Sequence, residues 1–248
     1  MKILGIIPAR YASTRFPGKP LFVIGGKSMI QRVYEQSSRC TSLDRVIVAT
    51  DHELIEKHVA FFGGNVIMTG SHHQSGTERC AEVLSKLAGR NETYDAVVNI
   101  QGDEPYIDPR QIDQVVRCFD REEVLIATLA KKILLETELN DPNVVKVIFG
   151  INNQAIYFSR SVIPFTQGKE KPDWIHASDY YKHIGIYGYR TNILQALVRL
   201  RTSPLEKAES LEQLRWLENG FPVYVQETVY ESIAIDTPSD LLKITNIS

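Results

Sequence analysis

Short apolar runs alternate with longer amphipathic stretches along most of the chain. Residues 2–7 (KILGII), 45–49 (RVIVA) and 95–100 (DAVVNI) are rich in aliphatic and β-branched side chains and are flanked by turn formers, which predicts buried strands. Residues 66–68 predict a shorter one. Between them, residues 28–39, 52–62 and 76–87 read as helices. Asp108-Pro109 opens another helix, with Asp as N-cap and Pro at the first helical position. This rhythm predicts an α/β fold: a doubly wound, mostly parallel, Rossmann-like sheet with helices on both faces.

From about residue 137 to 190 the rhythm changes. Residues 144–149, 155–158 and 184–189 are strand-like, with polar residues 168–173 as a loop between them. We expect a β-rich arm inside one domain spanning residues 1–248, not a second domain. Helices return at 203–218 and 238–247, with strand-like residues 223–226 and 233–235 between them. Ser203, Pro204 and Glu206 supply an N-cap, a first helical residue and the partner of a capping box.

Composition narrows the class. Hydrophobic residues make up 43% of the 248, enough for a substantial core. The net charge of −2 gives no broad attraction to nucleic acid or to an anionic membrane. An anionic ligand must therefore meet a local basic cluster. Cys40, Cys80 and Cys118 lack CxxC spacing, which argues against a zinc knuckle or a disulfide framework and for reduced thiols in the cytoplasm. The opening apolar run is short and broken by Gly5 and Pro8, and no stretch has the length of a transmembrane helix, so membrane insertion is not expected.

The first strand runs into ARYASTRFPGKPL. Ligands of open α/β sheets sit at the carboxyl ends of strands. A loop there with Gly18, Ser13, Thr14, Arg10, Arg15 and Lys19 suits a triphosphate; a solvated basic turn is the alternative. Gly25-Gly26-Lys27-Ser28 matches the end of a P-loop, but Leu21 stands where its opening glycine belongs. A hairpin turn followed by an N-cap at Ser28 is expected instead. Asp51, Asp103 and Asp236 each follow an apolar strand. Asp51 immediately precedes a helix and reads as a cap. Asp103, preceded by Gly102, suits Mg²⁺ beside a nucleotide. Asp236 has Thr237 beside it to cap the next helix. His72 and His73 read as loop surface, and His183 by itself as a structural histidine. No GxSxG or HExxH pattern supports a hydrolase.

Taken in order, IIPARYASTRFPGKPL, VATDH, MTGSHHQSGTER, NIQGDEP, DPNVVKV, AIYFSRSVIPF, HIGIYGYR, SPLEKAESLEQLR and IDTPSDL resemble the Kdo cytidylyltransferases (Kdo, 3-deoxy-D-manno-octulosonate) over almost the whole chain. The opening motif alone marks only a wider group of sugar nucleotidyltransferases; YFSRS, HIGIYGYR and LEQLR separate the Kdo enzymes from it. The resemblance implies a nucleotidyltransferase fold, CTP and Kdo as substrates, CMP-Kdo and pyrophosphate as products, Mg²⁺ as cofactor, and a role in activating Kdo for lipopolysaccharide. It implies that Arg10, Ser13, Arg15 and Lys19 grip the phosphates, with Gly76 and Gln101 beside the cytidine. Arg15, Lys19, Asp103 and Asp236 would be catalytic, the two aspartates holding the metal. Arg79, Arg160, His183, Tyr187, Glu212 and Gln213 would line the sugar site. Where family members often carry a glycine-containing turn before the final aspartate, this chain reads YESIAID; the DTP match persists. A homodimer is expected through the arm, with Ile163, Phe165 and Trp174 as its apolar residues. The competing readings are a CMP-sialic acid synthetase, a nucleotidyltransferase acting on a sugar 1-phosphate, and a non-catalytic nucleotide-binding regulator.

Overall fold

The apolar runs of the first half become strands, and the amphipathic stretches become the helices that cover them. The computed structural model describes residues 1–12, 16–231, 233–235, 237 and 240. β1 (Ile3–Ala9) leads to a hairpin of β2 (Val23–Ile24) and β3 (Lys27–Ser28), then α1 (Met29–Ser37), β4 (Arg45–Thr50), α2 (Glu53–Phe61), β5 (Val66–Met68), α3 (Gly76–Ala88) and β6 (Ala96–Asn99). The chain continues through α4 (Pro109–Arg117), β7 (Ile126–Lys132), α5 (Glu136–Asn140), β8 (Lys146–Phe149), β9 (Ala155–Ser159), α6 (Trp174–Ala177) and β10 (Tyr181–Arg190). It ends with α7 (Thr191–Leu197), α8 (Pro204–Glu209), α9 (Glu212–Glu218) and β11 (Val223–Glu227).

The main sheet has the order β11-β7-β10-β6-β1-β4-β5, with β8 and β9 added beside β10. β6, β1, β4 and β5 are mutually parallel, as are β11 and β7; β10 runs antiparallel between β6 and β7. Alternation along β1 sends Ile3 and Ile7 to one face and Leu4 and Ile6 to the other, and all four are buried. The first face packs on α1, α2 and α4, the second on α3, α7 and α9, as a doubly wound α/β fold requires. Each fully buried aliphatic side chain contributes about 1.5–3 kcal/mol. The parallel arrangement puts the carboxyl ends of β1, β4 and β6, and the start of β10, along one edge.

Local signals are honoured. Asp108 is the predicted N-cap and also forms a capping box with Gln111; Ser203 forms the predicted capping box with Glu206. Gly25 and Gly26 both take positive φ, the requirement of a tight hairpin turn, and Ser28 accepts from Gln31 N–H as the N-cap of α1.

Long-range packing altered other expectations. The helix expected over 203–218 is two helices, because Ser210 takes a left-handed φ of 54° and turns the chain between α8 and α9. β7 and α7 were not anticipated. β10 begins at Tyr181, ahead of the apolar run, since Tyr181–His183 find backbone partners on β7. Residues 233–235 form no strand, and the expected helix at 238–247 lies outside the described residues apart from position 240. Trp174, expected at a dimer contact, is 6% exposed and packs with Ile133, Leu139 and Tyr180 of its own chain.

Candidate active site

Two cavities meet at the carboxyl edge of the sheet. The first, about 280 Å³, lies between Pro8–Arg10 at the end of β1, Lys19, Ser75, Gly76 and Arg79 at the start of α3, and the loop Gln101–Asp103 after β6. The second, about 800 Å³, lies between the start of β10 (His183, Gly185, Tyr187), Arg160 after β9, and Glu231, Ala234 and Thr237. Gln101 and Asp103 line both.

The shared wall is tightly built. A Cβ on Gly102 would stand 2.7 Å from the Pro8 carbonyl oxygen, so only glycine lets this loop close on β1. Lys19 Nζ donates to Asp103 Oδ2 at 2.7 Å, across 84 residues of sequence. Gln101 Nε2 donates to the Gly185 carbonyl at 2.8 Å. That bond orients the amide and leaves Oε1 as an acceptor. Ile235 N–H donates to the Asp103 carbonyl at 2.9 Å, drawing the chain after β11 onto the wall.

In the first cavity, Ser75 caps α3 by accepting from Glu78 N–H, so a 13-residue helix starts at the cavity lining. Such a terminus favours negative charge. Arg10 is exposed and makes no hydrogen bond to a described residue. Arg79 is 3% exposed and its guanidinium is committed: Nη2 pairs with Asp51 Oδ2 at 2.9 Å, and Nη1 donates to Thr69 Oγ1 at 2.5 Å. Asp51 is therefore no helix cap. His52 caps α2 instead, its Nδ1 accepting from Leu54 N–H.

In the second cavity, His183 Nε2 lies 3.0 Å from Thr128 Oγ1. That hydroxyl has carbonyl acceptors at Ile184 and Ile186, so its single proton goes to one of them, Ile186 being the nearer at 2.8 Å. Nε2 must then carry the imidazole proton and Nδ1 is the acceptor. Burial pushes the His183 pKa down to about 3, which keeps the ring neutral near pH 7. Tyr187 is 7% exposed, and its buried hydroxyl has no hydrogen-bond partner among the described residues. Lys182 bridges Glu138 at 2.5 Å and Glu231 at 2.7 Å, and Lys131 also pairs with Glu231.

The profile described as cytidylyltransferase matches residues 4–233. Over 98% of its length the chain is 53% identical to the 3-deoxy-manno-octulosonate cytidylyltransferase of Parabacteroides distasonis, covering 96% of that protein. The corresponding protein of Phocaeicola vulgatus is 54% identical, over 98% of this chain and 96% of the relative. This chain belongs to the 3-deoxy-manno-octulosonate cytidylyltransferase family. Among solved structures it is similar to CMP:2-keto-3-deoxy-manno-octonic acid synthetase complexed with CTP, with a TM-score of 0.91 and 40% identity over 100% of this chain and 98% of that one. The family is the one the motif order implied.

Most residues that the family resemblance singled out converge on this edge. Arg10, Lys19, Gly76, Gln101 and Asp103 line the first cavity; Arg160, His183 and Tyr187 line the second. Three depart from their expected place. Arg79, expected beside the sugar, lines the first cavity and is tied to Asp51. Glu212 and Gln213 are not among the lining residues of either cavity. Glu212 accepts from Thr77 Oγ1 at 2.7 Å, and burial raises its pKa. Gln213 is 5% exposed. Ser13, Arg15 and Asp236 lie outside the described residues.

His73 was expected on the surface and instead lines the first cavity, gripped by Glu82. Burial alone would raise the Glu82 carboxyl; Lys86, His73 and the Gly70 N–H hold it at about 2. Glu78 and Glu82 are one helical turn apart, which is legible in the sequence. That the preceding loop folds His73 back onto them is not.

Proposed function

We propose that this chain transfers CMP from CTP to the anomeric hydroxyl of Kdo, giving CMP-Kdo and pyrophosphate, the activation step for Kdo entering lipopolysaccharide. One observation carries the reading: near-full-length identity of 53% to proteins named for that transfer. The two cavities sharing Gln101 and Asp103 support it, because two substrates must meet at one wall.

In this reading CTP takes the first cavity, its phosphates toward Arg10, Ser13, Arg15 and Lys19 and its cytidine beside Gly76 and Gln101. Kdo takes the second, its carboxylate on Arg160 and its hydroxyls on His183 and Tyr187. The acceptor Nδ1 of a neutral His183 supports that assignment. Arg79 and Glu212 act as wall supports, since their polar atoms already hold Asp51 and Thr77. The sugar hydroxyl attacks the α-phosphorus at the shared wall, in line with the departing pyrophosphate. The protein contributes mainly position and charge.

Mg²⁺ belongs to this reading. Asp103 Oδ2 already accepts a cationic ammonium and Oδ1 has no partner among the described residues, so the carboxylate fits a divalent cation shared with phosphate oxygens. Asp103 and Asp236 would hold the ion. When bound, it neutralises phosphate charge and lowers the pKa of the attacking hydroxyl.

The reading includes a homodimer. Leu134, Leu135 and Phe165 are 71, 60 and 73% exposed around the small core that buries Trp174, and such an apolar patch favours a second copy. Light scattering is expected to give twice the 28.1 kDa chain mass; a monomer at micromolar concentration removes this part. Cytoplasmic residence is also part of the reading, supported by three free, buried cysteines. Among the described residues, no helix is long and apolar enough to cross a membrane.

The deciding experiment is pyrophosphate release from CTP with Kdo, its 8-amino analogue, sialic acid or a sugar 1-phosphate. Release with Kdo is expected. Turnover confined to sialic acid or a sugar 1-phosphate, or CTP binding without turnover, overturns the reading.

A further inference from the structure

Arg160 is held more firmly than an ordinary cavity-lining arginine. Its backbone N–H donates to Glu209 Oε2 at 2.9 Å, and its Nε donates to the Glu209 carbonyl at 2.8 Å. The other Glu209 carboxylate oxygen accepts from Ser159 Oγ at 2.6 Å. Arg160 Nη1 donates to the Pro142 carbonyl at 3.1 Å. The segment carrying Pro142 is fixed in turn. Lys146, wholly buried, donates through Nζ to the carbonyls of Asp141 and Val144 at 2.9 and 2.6 Å. Only Nη2 makes no hydrogen bond to a described residue.

Glu209 is the last residue of α8, immediately before the left-handed turn at Ser210. It thus fastens a helix end to the end of β9, across about fifty residues of sequence. Its carboxylate holds the backbone on which Arg160 stands, and its carbonyl takes Nε. With Nε occupied, the side-on fork of Nε and Nη2 is closed to a ligand. The guanidinium is left to offer its Nη2 end.

We propose that Glu209 is a positioning residue for the acidic sugar: it fixes the backbone and guanidinium of Arg160 so that Nη2 is free for a carboxylate in the second cavity. The inference rests on reading that cavity as the Kdo site. A side chain that can swing gives up rotamer freedom when it binds; one clamped beforehand has already lost it. Glu209 has no lining role in either cavity, so its effect must pass through Arg160.

Steady-state kinetics of Glu209→Ala, Glu209→Gln, Arg160→Ala and the Glu209→Ala/Arg160→Ala double variant test this, with thermal melts on the same samples. Glu209→Ala is expected to raise KM for Kdo by about tenfold or more while KM for CTP moves by less than about twofold. Glu209→Gln keeps one carboxamide acceptor and should fall between. The double variant should be no worse for Kdo than Arg160→Ala, because both changes remove one interaction. If Arg160→Ala raises KM for Kdo and Glu209→Ala does not, the positioning role is overturned and the Kdo reading stands. An additive double variant, or equal rises for both substrates, also overturns it by making Glu209 merely structural. If the wild-type chain does not turn over Kdo, the functional reading itself has failed. Should the alanine variant not fold, Glu209→Gln alone decides: an unchanged KM for Kdo sinks the proposal.

Discussion

His183 ties the second cavity to a measurable dependence of stability on pH. Its ring lies between Phe158 and Tyr187, and burial takes its pKa from an ordinary 6.5 down to about 3. The unfolded chain therefore binds a proton over a window in which the folded chain does not. Its full contribution is present above pH 6.5 and is lost progressively as pH falls toward 3. Between pH 7 and pH 5 the unfolded imidazole takes up most of a proton while the folded one stays neutral, so linkage removes about 2 kcal/mol. The perturbation is His183→Gln, which keeps an amide near Thr128 but cannot titrate. Urea unfolding of both proteins at pH 7 and pH 5 gives the comparison. The variant loses packing at both pH values, and other titrating groups cancel in the difference. The wild-type chain should lose about 2 kcal/mol more than the variant between the two pH values. Equal losses would mean that folded His183 takes up the proton, and the argument for a neutral ring would fall with it.

Three further outcomes follow from the geometry. Gly102→Ala forces a Cβ to within 2.7 Å of the Pro8 carbonyl, and is expected to cost about 1–3 kcal/mol in urea unfolding and to lower pyrophosphate release; a fully stable, fully active variant contradicts the close approach. Asp51→Ala leaves the Arg79 guanidinium buried without its carboxylate; a loss of about 3 kcal/mol is expected, and one below about 1 kcal/mol shows that the pair is not structural. Asp103→Asn removes the partner of Lys19 and a charge from the shared wall, so turnover should drop by about a hundredfold or more with the fold kept; near-normal pyrophosphate release rules out Asp103 as part of the machinery.

What the sequence determined by itself was local chemistry and order. The caps at Asp108 and Ser203, the glycine turn before Ser28 and the strand runs of the first half depend on neighbours a few residues away, and each appears where the pattern put it. The succession of motifs also carried the family, that of relatives 53 and 54% identical over 98% of the chain. The tertiary structure decided which side chains the site can use. Asp51 reads as a cap until Arg79, 28 residues on, claims its carboxylate. Glu212, which the family resemblance placed beside the sugar, accepts from the Thr77 hydroxyl, 135 residues back. The run 203–218 reads as one helix until Ser210 turns it and Glu209 meets Arg160. Hydrogen bonds and burial at such separations leave no periodic trace along the chain. They arise only when the sheet order brings distant strand ends to one edge, where the cost of leaving a buried polar group unpaired selects its partner.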